Sequence, residues 1–197
     1  MVRMPSLTRD EAATRAATVN VASYDLDLDL TGGADTFRSR TVIRFGAEVD
    51  GATFADFEPA ELISVTLNGS PVDPAALTGH RLSLTGLSAT NELVVEARMA
   101  YSNTGEGLHL FVDPADKQTY LYAHMFLDGA RRIFPCFDQP DLKAPFTVRV
   151  TAPGLAGRLE RRPGRPGGGR PLGVLADAAA GHLFRHADRR AVPRAHR

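Results

Sequence analysis

Polar and apolar residues alternate with period two in a series of short stretches along the first 150 positions. Leu26, Leu28 and Leu30 interleave with Asp25, Asp27 and Asp29. That spacing predicts a strand from Val19 to Leu30 with one dry face and one wet, acidic face. Gly32-Gly33 breaks it, and Thr36 to Phe45 follows as a second strand with Phe37, Val42, Ile43 and Phe45 as core candidates. The two read as an antiparallel hairpin. Shorter strands are expected at Thr53 to Phe57, Ile63 to Leu67, Arg81 to Leu84, Glu92 to Tyr101, Leu108 to Val112, Thr119 to His124 and Phe146 to Thr151. Asn68-Gly69 is a favoured hairpin turn, and Leu93, Val95 and Met99 fit an inward face. Ahead of the strands, residues 6–18 read as a short helix. Ser6 or Thr8 is its N-cap, and Asp10 and Glu11 lie in its first turn. Short strands separated by Gly, Pro, Asn and Asp favour an all-β, antiparallel sandwich or saddle-like sheet over a parallel one.

Residues 120–146 interrupt this regularity. Tyr120-Leu121-Tyr122 begins as a strand, the chain turns at Asp128-Gly129, and two adjacent cations, Arg131 and Arg132, precede the block FPCFDQPD. Pro135, Pro140 and Pro145 exclude a long helix or a central strand. A long irregular loop in a compact domain is often functional.

Composition narrows the class. A hydrophobic fraction of 43% suits a globular core, and a formal net charge of zero argues against nucleic acid or an anionic membrane as the main partner. The single cysteine, Cys136, excludes an internal disulfide and any zinc site built from several cysteines. No apolar run approaches the ~20 residues of a membrane span. The simplest address is the cytoplasm.

Beyond Pro153 the chain changes character. From Gly154 it holds ten arginines, no lysine and one aromatic residue, Phe184, around a Pro/Gly-rich centre. This composition cannot bury a core and reads as disordered. Arg, Gly, Ala and Pro are also what GC-rich codons yield out of frame, so the favoured reading is a frameshifted gene or gene model. The alternative is a genuine basic arm that binds nucleic acid. The resulting division is a helical lead-in at 1–18, a β-sandwich at 19–153 and a tail at 154–197.

ARRIFPCFDQPDLKAPF resembles the segment that closes the N-terminal domain of zinc metallopeptidases of the aminopeptidase N family. SNTGEGLH with Phe111-Val112-Asp113-Pro114, LTRDEA at 7–12, Ser23-Tyr24-Asp25-Leu26 and Thr36-Phe37-Arg38-Ser39-Arg40 are similar to the actinobacterial branch, in the same order. The resemblance covers about residues 6–153. It implies a non-catalytic, substrate-flanking domain of an enzyme that releases N-terminal residues from peptides with zinc-activated water, with the catalytic domain as natural neighbour. Zinc and the peptide substrate would belong to the full-length enzyme, not to this chain.

The chain contains no H-E-x-x-H and no G-A-M-E-N. The histidine pair and glutamate of the first motif would bind zinc and act as general base. Without them no catalytic residue and no metal ligand is assigned, and the isolated chain is expected to be inactive. His182 and His186 have helical i,i+4 spacing, but Leu183 stands where the glutamate belongs. His80 and His109 read as a turn and a strand histidine, and Cys136 as a buried small hydrophobe.

The resemblance also implies one binding position. In the family the strand here ends in Gln-x-Glu or Gln-x-Gln, which holds the substrate's free α-amino group by charge-assisted hydrogen bonds. A gapless alignment puts His124 and Phe126 there. Phe126 accepts no hydrogen bond, and His124 accepts one only when neutral, so His124 is a substrate-binding candidate by position alone. Arg131, Arg132, Asp138 and Asp141 are expected to fix the loop, pair with one another and face the neighbouring domain. The reading from a different class is a stand-alone β-sandwich module that docks a protein partner.

Overall fold

The computed structural model describes residues 7–125, 128–152 and, as backbone, 155–161. Helix α1 is Arg9–Thr18. Twelve strands follow: β1 Val19–Asp29, β2 Thr36–Ala47, β3 Ala52–Asp56, β4 Glu61–Leu67, β5 Ser70–Pro71, β6 Leu77–Thr78, β7 Arg81–Thr85, β8 Thr90–Ala100, β9 Gly107–Val112, β10 Thr119–His124, β11 Phe146–Ala152 and β12 Leu155–Arg161. They form a seven-stranded sheet ordered β12-β11-β1-β2-β8-β4-β5, a three-stranded sheet ordered β3-β7-β6, and the two-stranded ribbon β10-β9.

The helix begins as the capping residues dictate. Thr8 accepts from the Glu11 N–H, and the Glu11 carboxylate accepts from the Thr8 N–H, a complete capping box. Alternation sets the sheet. Phe37, Ser39, Thr41, Ile43 and Phe45 of β2 are buried, whereas Arg38, Arg40 and Arg44 are exposed. Leu93, Val95 and Met99 of β8 are fully buried beside them. One apolar cluster joins this inner face to Ala55, Leu82 and Leu84 of the small sheet, Phe57 just after β3, and Phe134, Cys136 and Phe137 of the long loop.

The outer face is charged rather than simply acidic. Arg149, Asp27, Arg40 and Glu96 stand side by side on β11, β1, β2 and β8. They alternate in sign, with Arg149–Asp27 at 3.1 Å, Arg40–Asp27 at 3.8 Å and Arg40–Glu96 at 3.4 Å. Exposed pairs of this kind are each worth about 0–1 kcal/mol and mark a wet face.

One join departs from the antiparallel expectation. β11 runs parallel to β1, Tyr24 beside Phe146 and Asp29 beside Thr151. A parallel neighbour needs a long crossover, here the chain from β2 to the loop, which returns on the far side of β1. The chain also continues in strand form past the compositional boundary at 153. β12 pairs antiparallel with β11, Val148 opposite Leu159. The rest of the Arg/Gly/Pro-rich segment, with His182 and His186, lies outside the described residues.

Candidate functional site

His124 ends β10, opposite Gly107 of β9. The ribbon turns one side, Leu108 and Leu121, into the core, and presents His109, Phe111, Tyr120, Tyr122 and His124 on the other. Phe111 and Tyr122 are about half exposed. The His109 ring lies 4.7 Å from that of Tyr122, and its Nδ1 accepts from the Gly105 N–H at 3.0 Å. That bond leaves His109 with its proton on Nε2 when neutral. The candidate position thus sits at the end of an aromatic row. Phe126 lies outside the described residues.

The loop folds tightly against this end. A Cβ on Gly129 would stand 3.0 Å from the His124 carbonyl oxygen, so a larger residue would push the loop off the strand. Gly107 has φ +71, and a Cβ there would meet Arg132 Cβ at 3.2 Å. A short 3-10 turn, Ala130–Arg132, then carries the two cations. Arg131 pairs with Glu58 at 3.0 Å and Asp128 at 2.9 Å, and Arg132 with Glu106 at 2.7 Å and Glu58 at 3.5 Å.

These partners correct the expected network. Both arginines are neutralised by carboxylates from other turns and from the loop's own start, not by Asp138 and Asp141. The loop doubles back, so residues distant in sequence lie nearer than those a few positions on. Asp138 is half-buried, and its N–H donates to Asp56 Oδ2 at 3.3 Å. Burial, with Asp56 and Asp128 nearby, pushes its carboxyl above the usual range. Asp141 is exposed, and its carbonyl accepts from the Lys143 N–H at 3.1 Å.

The centre of the loop is anchored in the core. Asp56 and Cys136 exchange backbone hydrogen bonds at 2.7 and 3.0 Å, so the loop adds a one-residue bridge to β3. The Cys136 thiol is buried, and burial pushes its pKa up, which is the environment of an inert core cysteine. His80 sits in a turn, half-buried, its imidazole held below its usual pKa by burial and then by Arg131.

Sequence reasoning missed the most buried charge. Arg15 of α1 is 3% exposed. Its Nε donates to Gln139 Oε1 at 3.0 Å, and its Nη1 to Asp56 Oδ2 at 3.2 Å and the Phe54 carbonyl at 3.3 Å. Its guanidinium lies over the Phe54 ring at 4.7 Å. The available signal was that RDEAATRAAT has no apolar side chain larger than alanine: a helix with so little apolar surface to bury docks through polar groups.

Residues 80–155, which contain the ribbon and the loop, match the family described as the Peptidase M1 N-terminal domain. Aminopeptidase N of Streptomyces lividans is 49% identical over 153 residues, 75% of this chain and 18% of that protein. The chain carries an M1 peptidase N-terminal domain. Aminopeptidase Q of Acinonyx jubatus is 29% identical over 97 residues, 48% of this chain and 9% of its own length. Among solved structures, leukotriene A4 hydrolase of yeast bound to bestatin has a TM-score of 0.60 at 19% identity, over 78% of this chain and 26% of that one. An M1 zinc metallopeptidase of Deinococcus radiodurans has a TM-score of 0.53 at 21% identity, over 68% of this chain and 32% of that one. The chain spans about a fifth of the length of the Streptomyces relative.

Among the described residues no three His, Cys, Asp or Glu side chains gather as metal ligands, and the sequence has no H-E-x-x-H. No helix among them is long and apolar enough to cross a membrane.

Proposed function

We propose that this domain is the non-catalytic, substrate-flanking part of a zinc aminopeptidase, in which a separate catalytic domain supplies the metal, the general base and the peptide-cleaving step. The observation that carries the reading is that residues 80–155, spanning ribbon and loop, match the M1 N-terminal family. The aromatic row ending at His124 would face the amino end of a peptide, and the Arg131/Arg132 turn would face the catalytic domain. A buried, un-ionised thiol suits a reducing compartment, so the cytoplasm is the proposed location.

His124 differs chemically from an amide or carboxylate. It accepts a hydrogen bond from an ammonium only when neutral, and Tyr122 beside it offers a ring face to a cation.

The test is a chimera in which this domain replaces its counterpart in Streptomyces aminopeptidase N. Zinc-dependent hydrolysis of aminoacyl-anilides by the chimera, with none by the isolated chain, is the expected result. A folded, zinc-loaded chimera without turnover would overturn the proposal. It would favour the stand-alone binding module, for which the exposed Phe111, Val112 and Tyr122 supply an apolar surface.

A further inference from the structure

We propose that α1 is a charge-held strap that keeps residues 138–142 in place, and that it releases together with them while the β-sandwich stays closed. The inference is independent of any enzymatic role.

The argument begins with what α1 lacks. Its ten residues include no Val, Leu, Ile, Phe or Met, and the one buried side chain among them is Arg15. A helix of this length is marginal alone in water, so docking and helicity stand or fall together. Two arginine contacts do the docking. Arg81 of β7 grips the Glu11 carboxylate at 2.6 and 3.2 Å. Arg15 enters the interior between β3 and the loop. The Phe54 ring lies against both guanidiniums, 4.7 Å from that of Arg15 and 4.3 Å from that of Arg81.

On the loop side the strap holds Gln139 from two directions. The Gln139 side-chain oxygen accepts from Arg15, and its amide nitrogen donates to the Ala12 carbonyl at 2.9 Å. Asp56 joins the two segments again, because its Oδ2 accepts from both Arg15 and the Asp138 N–H. Losing Arg15 would unhook Gln139 and strip Asp56 of its cation.

Residues 134–137 are held differently. Phe134, Cys136 and Phe137 are core residues, Cys136 is bridged to Asp56 through the backbone, and the Phe137 N–H donates to Tyr24. None of these contacts passes through α1, which meets this segment at the Phe137 ring, 5.9 Å from the Arg15 guanidinium. The loop therefore divides at Phe137: fully buried core side chains before it, and after it the polar contacts to Arg15, Ala12 and Asp56, with Leu142 only partly buried against the core. Arg15 Nη2 is also buried without a hydrogen-bond partner among the described residues. The strap is held at less than full satisfaction, which lowers the cost of opening it relative to the core.

The test is hydrogen exchange read by mass spectrometry on the full chain, comparing wild type with Arg15→Met, Gln139→Leu and, as control, Arg98→Met, which breaks an exposed pair with Glu61. In Arg15→Met, the amides of 9–18 and 139–142 should exchange together about ten-fold faster or more, with β1, β2 and β8 unchanged. Gln139→Leu should loosen α1 from the loop side, and Arg98→Met should leave both segments as in wild type. The proposal is overturned if α1 loosens without the loop, if β1, β2 and β8 accelerate by the same factor, if nothing changes, or if Arg15→Met fails to fold.

Discussion

The backbone N–H of Phe137 donates to the hydroxyl oxygen of Tyr24 at 3.0 Å, across 113 residues of sequence. This contact ties the irregular loop to β1, and the Tyr24 ring continues the junction by stacking on Phe146, the first residue of β11, with centroids 4.4 Å apart. Tyr24→Phe keeps the ring and removes the acceptor, leaving a buried N–H unpaired. The expected cost is about 1–3 kcal/mol of unfolding free energy. Urea denaturation of the pair measures it, and an unchanged midpoint with an unchanged slope would contradict it.

The same tyrosine sets an alkaline limit. Burial pushes the Tyr24 phenol above its usual pKa of 10, and burial pushes Tyr101 up to about 12. Above pH 10 the unfolded chain loses these protons while the folded chain keeps them. Stability is therefore full below pH 10 and falls as the pH rises through the folded values. Ultraviolet titration of the native protein should show two of the four tyrosines ionising late, and a single transition near pH 10 for all four would refute it.

At the acid end the group to watch is Glu11. The hydrogen bond from Arg81, then that from the Thr8 N–H, holds its carboxyl at about 2 against an ordinary 4.5. Its contribution is present above pH 4.5 and is lost as the pH falls from there through about 2. Wild type should be more stable than Glu11→Gln near neutrality, with the gap closing over that window. A gap that persists unchanged at pH 2 would rule out the assignment.

Gly107 joins backbone conformation to the ion-pair cluster. Alanine there must adopt a left-handed φ and also press on Arg132 Cβ. Gly107→Ala should cost about 1–3 kcal/mol. It should cost more than Gly69→Ala, where φ is +79 but no atom lies within 4 Å of the new Cβ. Thermal melts of the two variants give the order, and equal losses would mean that Arg132 yields freely.

His124 is testable in the chimera. His124→Gln restores an amide acceptor at the strand end. If this position holds the substrate's amino group, kcat/KM should rise about ten-fold, the value of one hydrogen bond to a charged group at roughly 1.5 kcal/mol. An unchanged rate would place the amino group elsewhere.

The strands were legible because each is written in local alternation. Leu26 against Asp25 and Asp27, or Val95 against Glu96, carries its orientation in the sequence itself. The capping box of Thr8 and Glu11 and the Asn68-Gly69 turn were equally local. The loop's position was legible, but its contacts were not. FPCFDQPD marked the loop, yet nothing near Arg131 and Arg132 named Glu58 or Glu106 as their partners.

What the sequence by itself determined is the all-β class, the approximate places of its helix and longer strands, the absence of H-E-x-x-H and the kinship with aminopeptidase N. These follow from patterns a few residues long, where side-chain period and backbone preference act without reference to the rest of the chain. Tertiary structure alone decided that β11 lies parallel to β1 and that the loop bridges Asp56 at Cys136. It alone brought Arg15 to Asp56 and Gln139, 41 and 124 residues away. A guanidinium has no sequence period that announces its partner. It is buried where the closing of the sandwich brings a carboxylate and an amide to it, and desolvation then makes those contacts obligatory.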